Sequence, residues 1–452
     1  MDKRKFLKTS GIFLGGGLLS RYASADAPIA PEIAARSNWS GNYEYHTERL
    51  FVPHTMDEVQ AVVRSCNKLK ALGTRHSFNG IADSSFNQIS LKKFDTMALD
   101  KDARTVTVGA GVVYGQLGPY LDRQGYALQN LASLPQISVV GACATATHGS
   151  GNANGNLSTS VVAMDVLTAN GEQVTLSRER DGARFPGTVI GLGGLGLVTG
   201  ATLKVEPTYQ VTQVVYQDLS MDRLRHHLNE IFGSGYSVSL FTDWQDHRIA
   251  QVWIKRRFQP GSKPDMAPEF FGAKLATRKL HPIAGHSAES CTEQMGIPGP
   301  WYDRLPHFRM GFVPSSGAEL QTEYFVPRDK GYEAILAVEQ LRDRITPHLF
   351  VSELRTIASD NLWMSPCYRQ DSMTLHFTWK PEWPEVKKIL PLIEAKLAPF
   401  NVKPHWAKLF TMPPAAIQPK YVKLPEYRTL LDHYDPAGKF RNQFLRTNIY
   451  SG

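Results

Sequence analysis

The sequence predicts an α+β protein built as two lobes, and three observations predict it. Helix-spaced and strand-spaced apolar runs are mixed along the chain. Their character changes at Pro207: short strands and glycine-rich turns precede it, and longer strands and helices follow. The 452 residues are 42% hydrophobic and 20% charged, with 36 Gly and 28 Pro. That is enough apolar material for a large core, and no long segment has a disordered composition. The length matches about three domains of roughly 150 residues, or two larger lobes. No apolar run reaches the ~18 residues that cross a bilayer, so stable membrane insertion is not expected.

Residues 1–25 carry Lys3, Arg4, Lys5, Lys8 and Arg21 against Asp2, half of the net charge of +8. A basic start, an apolar run over 11–19 and the pattern Ala23-Ser24-Ala25 read as an export signal with its cleavage site. Lys3-Arg4-Lys5-Phe6-Leu7-Lys8 is similar to the twin-arginine pattern R-R-x-F-L-K, with Lys3 in place of the first arginine. A general secretory signal is the simpler alternative. Either way the expected location is the periplasm or the cell exterior. The other 427 residues carry +4 and no Lys/Arg block, so no nucleic-acid partner is expected.

The first lobe reads as residues 26–207. Residues 59–72 have helical spacing, with Gly73 as the stop signal. Residues 105–113 alternate as a half-buried strand does, and 161–167 and 198–205 are further strands. The second lobe reads as 208–452. Helices are expected over 221–232, 331–345 and 383–397, and strands over 238–244, 349–357 and 373–379. Asp435-Pro436-Ala437-Gly438 is a strong turn signal near the end. Cys66, Cys143, Cys291 and Cys367 lie 77, 148 and 76 residues apart. That spacing suits neither zinc nor a disulfide scaffold, so four free thiols and no metal are expected.

Gly191-Leu192-Gly193-Gly194-Leu195-Gly196 matches the dinucleotide fingerprint G-x-G-x-x-G, which requires a helix at its end to meet the pyrophosphate. Strand-forming residues follow instead, so that reading is rejected. Gly73-Thr74-Arg75-His76-Ser77-Phe78-Asn79-Gly80 can form an anion-binding nest of backbone N–H groups, or an ordinary polar loop. Ser133, Ser138, Gly141 and the run Thr145-Ala146-Thr147-His148 lie in a segment of small residues. Such a segment lets backbone approach a flat or phosphorylated ligand, or simply packs a tight turn.

In the second lobe, period two puts Glu353 and Arg355 on one strand face, flanked by Val351 and Ile357. The pair suits a ligand site or a structural salt bridge. Over 373–379, Thr374, His376 and Thr378 share one face and four apolar residues the other. That polar face can line a cavity for a polyhydroxylated ligand or meet solvent. His405-Trp406-Ala407-Lys408 is a weaker signal. No G-x-S-x-G, H-E-x-x-H or P-loop is present, so hydrolase and metalloenzyme readings lack support.

Taken in order, GTRHSFNGIAD (73–83), LASLPQISVVGACATATHGSG (131–151), SELRTIASDNLWMSP (352–366), LHFTWK (375–380) and HWAK (405–408) resemble the flavoprotein oxidase superfamily typified by vanillyl-alcohol oxidase. Within it the chain is similar to the bacterial alditol oxidases, close to the sugar-1,4-lactone oxidases. The resemblance runs from about Asn38 to the C-terminus. It implies a PCMH-type FAD-binding domain over 26–207. It also implies an α+β substrate, or cap, domain over 208–452 whose C-terminal segment returns to the flavin.

His76 matches the histidine joined covalently to the flavin 8α-methyl carbon. Gly73, Thr74, Arg75, His76, Ser77, Phe78 and Asn79 match the pyrophosphate-side loop. Ser133, Ser138, Gly141, Thr145, Ala146, Thr147 and His148 would hold ribityl, pyrophosphate and ring, and Val198 the adenine end. No cysteine lies between Gly125 and Gly141, where doubly linked relatives attach again, so a single link is implied.

Ser133, Glu353, Arg355, His376, Thr378 and Lys408 fall on substrate-contacting positions. Arg355, Lys408 and Glu353 carry the implied chemistry: oxidation of a terminal primary alcohol of xylitol or sorbitol, hydride to flavin N5, and O2 reduced to H2O2. A monomer is expected. An aldonolactone oxidase or dehydrogenase on the same fold is the nearest alternative. A sugar-binding protein without flavin is the alternative from another class.

Overall fold

A computed structural model describes residues 29, 32–33, 36–312 and 315–451. The export-signal residues 1–25 lie outside them. The first lobe holds a five-stranded antiparallel sheet in the order Met97–Asp100, Thr105–Gly109, Leu197–Lys204, Val161–Leu167, Gln173–Ser177. Beside it, four short strands form a second sheet, Glu32–Ile33, Arg49–Phe51, Gln88–Ile89 and Lys70–Ala71.

Helix Met56–Ser65 starts on a capping box, in which the Thr55 hydroxyl accepts from Glu58 N–H and the Glu58 carboxylate accepts from Thr55 N–H. It ends sooner than its apolar spacing predicts. Cys66 is already extended, and Lys70–Ala71 pairs in parallel with Gln88–Ile89. Apolar spacing cannot separate the last turn of a helix from a short buried strand, and here the sheet wins. The strand expected over 105–113 stops at Gly109, where the chain passes so close to residues 91–94 that only glycine fits. A Cβ there would lie 2.3 Å from the Phe94 carbonyl oxygen, and one at Gly111 2.6 Å from that of Leu91.

The second lobe is organised by a ten-stranded sheet that begins at Gln210. Its centre runs in the order Arg248–Phe258, Ser237–Thr242, Leu349–Ile357, Ser372–Trp379, Leu320–Pro327, all antiparallel. Met373, Leu375, Phe377 and Trp379 point into the core, where they join buried residues of helices Met221–Gly233, Gly331–Glu339 and Trp383–Leu397. The helix expected over 331–345 is broken after Glu339, and a further turn follows at Arg342–Ile345. Register aligns Glu323, His376, Glu353 and Phe241 across four adjacent strands, on the opposite face from that core.

The chain then returns to the first lobe. Phe78 N–H donates to Ala407 O at 2.8 Å, and Phe440 packs with Phe51, Val59 and Val62. All four cysteines are free and buried. Among the described residues no helix is long and apolar enough to cross a membrane.

Candidate active site

One continuous cavity lies between the small five-stranded sheet and the polar face of the large one. Of the residues the resemblance assigns to cofactor or substrate, all but Asn79 and Ala146 line it. Asn79 turns away and donates to Trp406 O at 2.9 Å and Lys408 O at 2.7 Å, which ties the loop to the returning segment. Ala146 is buried in the core at φ 57°, so its role is to reverse the chain between Thr145 and Thr147.

On the first-lobe side the wall is largely backbone. No described group accepts from the N–H of any residue from 73 to 77, and Arg75 within that run has φ 64°. Consecutive free amides about a left-handed residue make an anion-binding nest. A Cβ on Gly73 would lie 3.1 Å from Ser138 Oγ, so the two segments come in close at this point. The Thr74 hydroxyl accepts from Ser138 N–H at 3.3 Å and lies 3.1 Å from His76 Nδ1. Trp39 stacks on the His76 ring at 5.2 Å. Burial, with Arg75 adding, holds His76 down at about 4, so the ring is neutral, and its Nε2 is buried without a partner among the described residues.

The rejected glycine motif also reaches this wall. No helix follows it, and strand Leu197–Lys204 begins directly after Gly196. Gly191, Leu192 and Gly193 nonetheless line the cavity, as a tight turn with φ 47° at Leu192 and 66° at Gly193. The buried Lys70 closes that turn by donating to Leu192 O at 3.1 Å and Gly193 O at 2.9 Å. The sequence reading missed this contribution.

On the second-lobe side the wall is made of side chains, and its centre is a residue the sequence reading passed over. Glu323, 1% exposed, accepts from Arg355 Nη2 at Oε1 and from Lys408 Nζ at Oε2, each at 2.6 Å. Burial alone would raise its pKa, but Arg355 and Lys408 hold it well below the usual carboxylate range. Glu323 alternates with buried Thr322 and Tyr324 on its strand, so a period-two signal existed. Lys408 also donates to His376 Nδ1 at 2.7 Å, which leaves the His376 Nε2 proton for Thr378 Oγ1 at 3.1 Å. Burial first, then Lys408, holds His376 at about 4.

Glu353 is likewise pulled below the ordinary range, against its burial, by Arg355 and His307. His307 Nε2 meets Glu353 Oε1 at 2.8 Å, and no sequence signal marked that loop histidine. His148 Nε2 lies 3.2 Å from Glu323 Oε1, off line for a hydrogen bond. His148, Glu323 and His405 bring ligand atoms within 4.8 Å of one another. Arg355 and Lys408 occupy both oxygens of that carboxylate, so the group is a salt-bridge hub more than a cation site.

Comparison with known proteins identifies the family and the fold. The profile described as FAD binding domain matches residues 47–177, and that described as D-arabinono-1,4-lactone oxidase matches 318–448. The alditol oxidase of Streptomyces sp. is 43% identical over 418 residues, covering 91% of this chain and 98% of the relative. The L-gulonolactone oxidase of Mus musculus is 25% identical over 441 residues with the same coverage. The crystal structure of cholesterol oxidase from B. sterolicum superposes with a TM-score of 0.76 at 13% identity, covering 97% of this chain and 100% of that one, which speaks for the fold alone. The chain belongs to the alditol oxidase family of FAD-dependent oxidoreductases.

Proposed function

We propose that this protein oxidises the terminal primary alcohol of alditols such as xylitol or sorbitol to the aldose, with O2 as acceptor and H2O2 as the second product. One observation carries the reading. Glu353, Arg355, His376, Thr378 and Lys408 converge on one wall of a cavity whose other wall is a backbone nest.

The residues present fit FAD. The free amides of residues 73–77 suit its pyrophosphate, and Ser138, Gly141 and Thr145 line the adjoining stretch. When bound, the flavin supplies the hydride acceptor and returns the electrons to O2. The protein supplies the rest. Arg355 and Lys408 stabilise negative charge where the alcohol oxygen loses its proton. Glu353, held ionised, accepts from the neighbouring hydroxyl and holds the carbon chain in the site.

The covalent link through His76 belongs to this proposal. A neutral ring carries the lone pair that such a bond needs, and its Nε2 has no partner among the described residues. Cys143 also lines the cavity, but burial pushes its thiol up to about 12, so a single histidyl link is favoured. His76→Ala is expected to release its flavin on acid precipitation, with activity reduced. Flavin retained in the precipitate would refute the attachment site.

We also propose export, on the strength of the basic and apolar pattern in residues 1–25; cell fractionation tests it. A second reading, an aldonolactone oxidase, has its own support in the lactone-oxidase profile over the stretch that builds the charged wall. Peroxide release in air with xylitol, sorbitol and an aldono-1,4-lactone separates the two. Release with the polyols alone is expected.

A further inference from the structure

Behind Glu353 lies a line of buried polar groups that the chemistry above does not use. Lys255, 1% exposed, sits on strand Arg248–Phe258 and directs its ammonium at Leu305 O at 2.5 Å, Pro306 O at 3.0 Å and His307 Nδ1 at 3.2 Å. Burial pulls Lys255 down to about 7, so the tautomer is read from the other side of the ring: Glu353, held ionised, only accepts, so Nε2 of His307 carries the ring proton and Nδ1 is the acceptor that faces Lys255. That proton is donated to Glu353 Oε1 at 2.8 Å. Phe241 and Trp253 meet the His307 ring at 5.5 and 5.3 Å in edge-to-face contact and fix its plane.

The line has one free end. Glu353 Oε1 is taken by His307, with Arg355 Nε a further 3.6 Å away. Oε2 has no hydrogen-bond partner among the described residues, and Glu353 lines the cavity. At its other end the line stops on two carbonyl oxygens inside the protein, so it is no exit path for a proton.

We infer that Lys255 and His307 are positioning residues that hold Glu353 in one orientation, with Oε1 anchored and Oε2 presented to the substrate hydroxyl beside the reacting carbon. The inference rests on the polyol reading above. It also explains a buried lysine with no carboxylate in direct contact among the described residues. Its Nζ seats Nδ1 of His307, and through that ring fixes the direction in which Glu353 accepts.

A hydroxyl beside the reacting carbon keeps its charge during the reaction, so its bond to Glu353 is equally strong before and in the transition state. Losing the orientation of Glu353 therefore weakens binding and leaves the limiting rate near its original value. Lys255→Met and His307→Asn break the line at different points. His307→Gln keeps a donor for Glu353 and an acceptor for Lys255.

The test is anaerobic flavin reduction by xylitol over a range of concentrations. In Lys255→Met and His307→Asn, the xylitol concentration for half-maximal reduction rate should rise tenfold or more. The limiting rate should stay within threefold, with flavin content unchanged, and His307→Gln should bring the half-saturation value back to within threefold of the original. If either broken variant fails to fold, the other gives the same reading. Unchanged half-saturation, an equal fall in limiting rate, no rescue by His307→Gln, or failure of both broken variants to fold overturns the positioning role. A wild-type protein that xylitol does not reduce overturns the polyol reading, and this inference with it.

Discussion

The two walls of the cavity are built on opposite principles. The first-lobe wall works through main chain: free amides over residues 73–77, left-handed turns at Arg75 and Leu192, and glycines where another segment passes close. The second-lobe wall works through side chains on regular antiparallel strands, where Glu323, His376 and Glu353 stand in one row. Backbone suits a cofactor that many relatives share, because it offers donors whatever the side chains are. Side chains suit a substrate that differs between relatives, because each can be exchanged without remaking the fold. Substitutions should therefore act differently on the two sides.

The largest effect is expected at Glu323. Glu323→Ala leaves Arg355 and Lys408 buried without their shared anion, and breaking a buried pair in this way costs about 3–5 kcal/mol. A fall in the urea midpoint together with loss of flavin reduction by polyol is the expected result. A stable, active variant would contradict the hub. Lys408→Ala comes next. It should slow flavin reduction by about 10²-fold, the scale of losing one charged donor at a reacting oxygen. Flavin content should hold, since the cofactor is assigned to the other wall, and near-normal reduction would remove Lys408 from the chemistry.

Acid should also act through the side-chain wall. His307 and His376 are held at about 4, chiefly by burial, whereas an unfolded histidine titrates near 6.5. Between those values the unfolded chain binds more protons, so stability falls as pH drops through that window and is level above it. At pH 5 each histidine accounts for about 2 kcal/mol. Urea midpoints at pH 7.5 and 5 measure the drop, and His307→Gln should make it shallower.

The smallest effect is expected on the backbone wall. Gly193→Ala meets a left-handed φ of 66° and places its Cβ 3.0 Å from Lys70 Nζ. Gly41→Ala meets φ 77° with nothing within 4 Å. Both should lose about 1 kcal/mol of stability from the backbone strain. Any further loss of stability or flavin in Gly193→Ala reports the Lys70 contact.

The same contrast decides what was legible in the sequence. Period two put Glu353 and Arg355, and His376 and Thr378, on the faces they occupy, because a strand has only two faces. Glu323 obeys the same rule with Gln321, on Leu320–Pro327, a strand outside those expected from the sequence. Lys70 and His307 carried no local signal: one acts on a turn more than a hundred residues away, and the other sits in an irregular loop. The glycine motif shows a different limit. Its dinucleotide reading fails for want of a helix, yet the same glycines make a turn that faces the cavity. Asn79 and Ala146 fit the resemblance by position, while their side chains serve the loops and not the cavity. The helix expected over 59–72 ran too long because a short buried strand mimics a helical turn.

The central claim is that the charged wall receives a polyol beside a bound flavin. Its most direct test is bleaching of the visible flavin band, without oxygen, on mixing the holoprotein with xylitol, sorbitol or an aldono-1,4-lactone. Fast bleaching by the polyols and little by the lactone is the predicted result. Bleaching by the lactone alone would contradict the assigned substrate and give the same wall to a lactone oxidase.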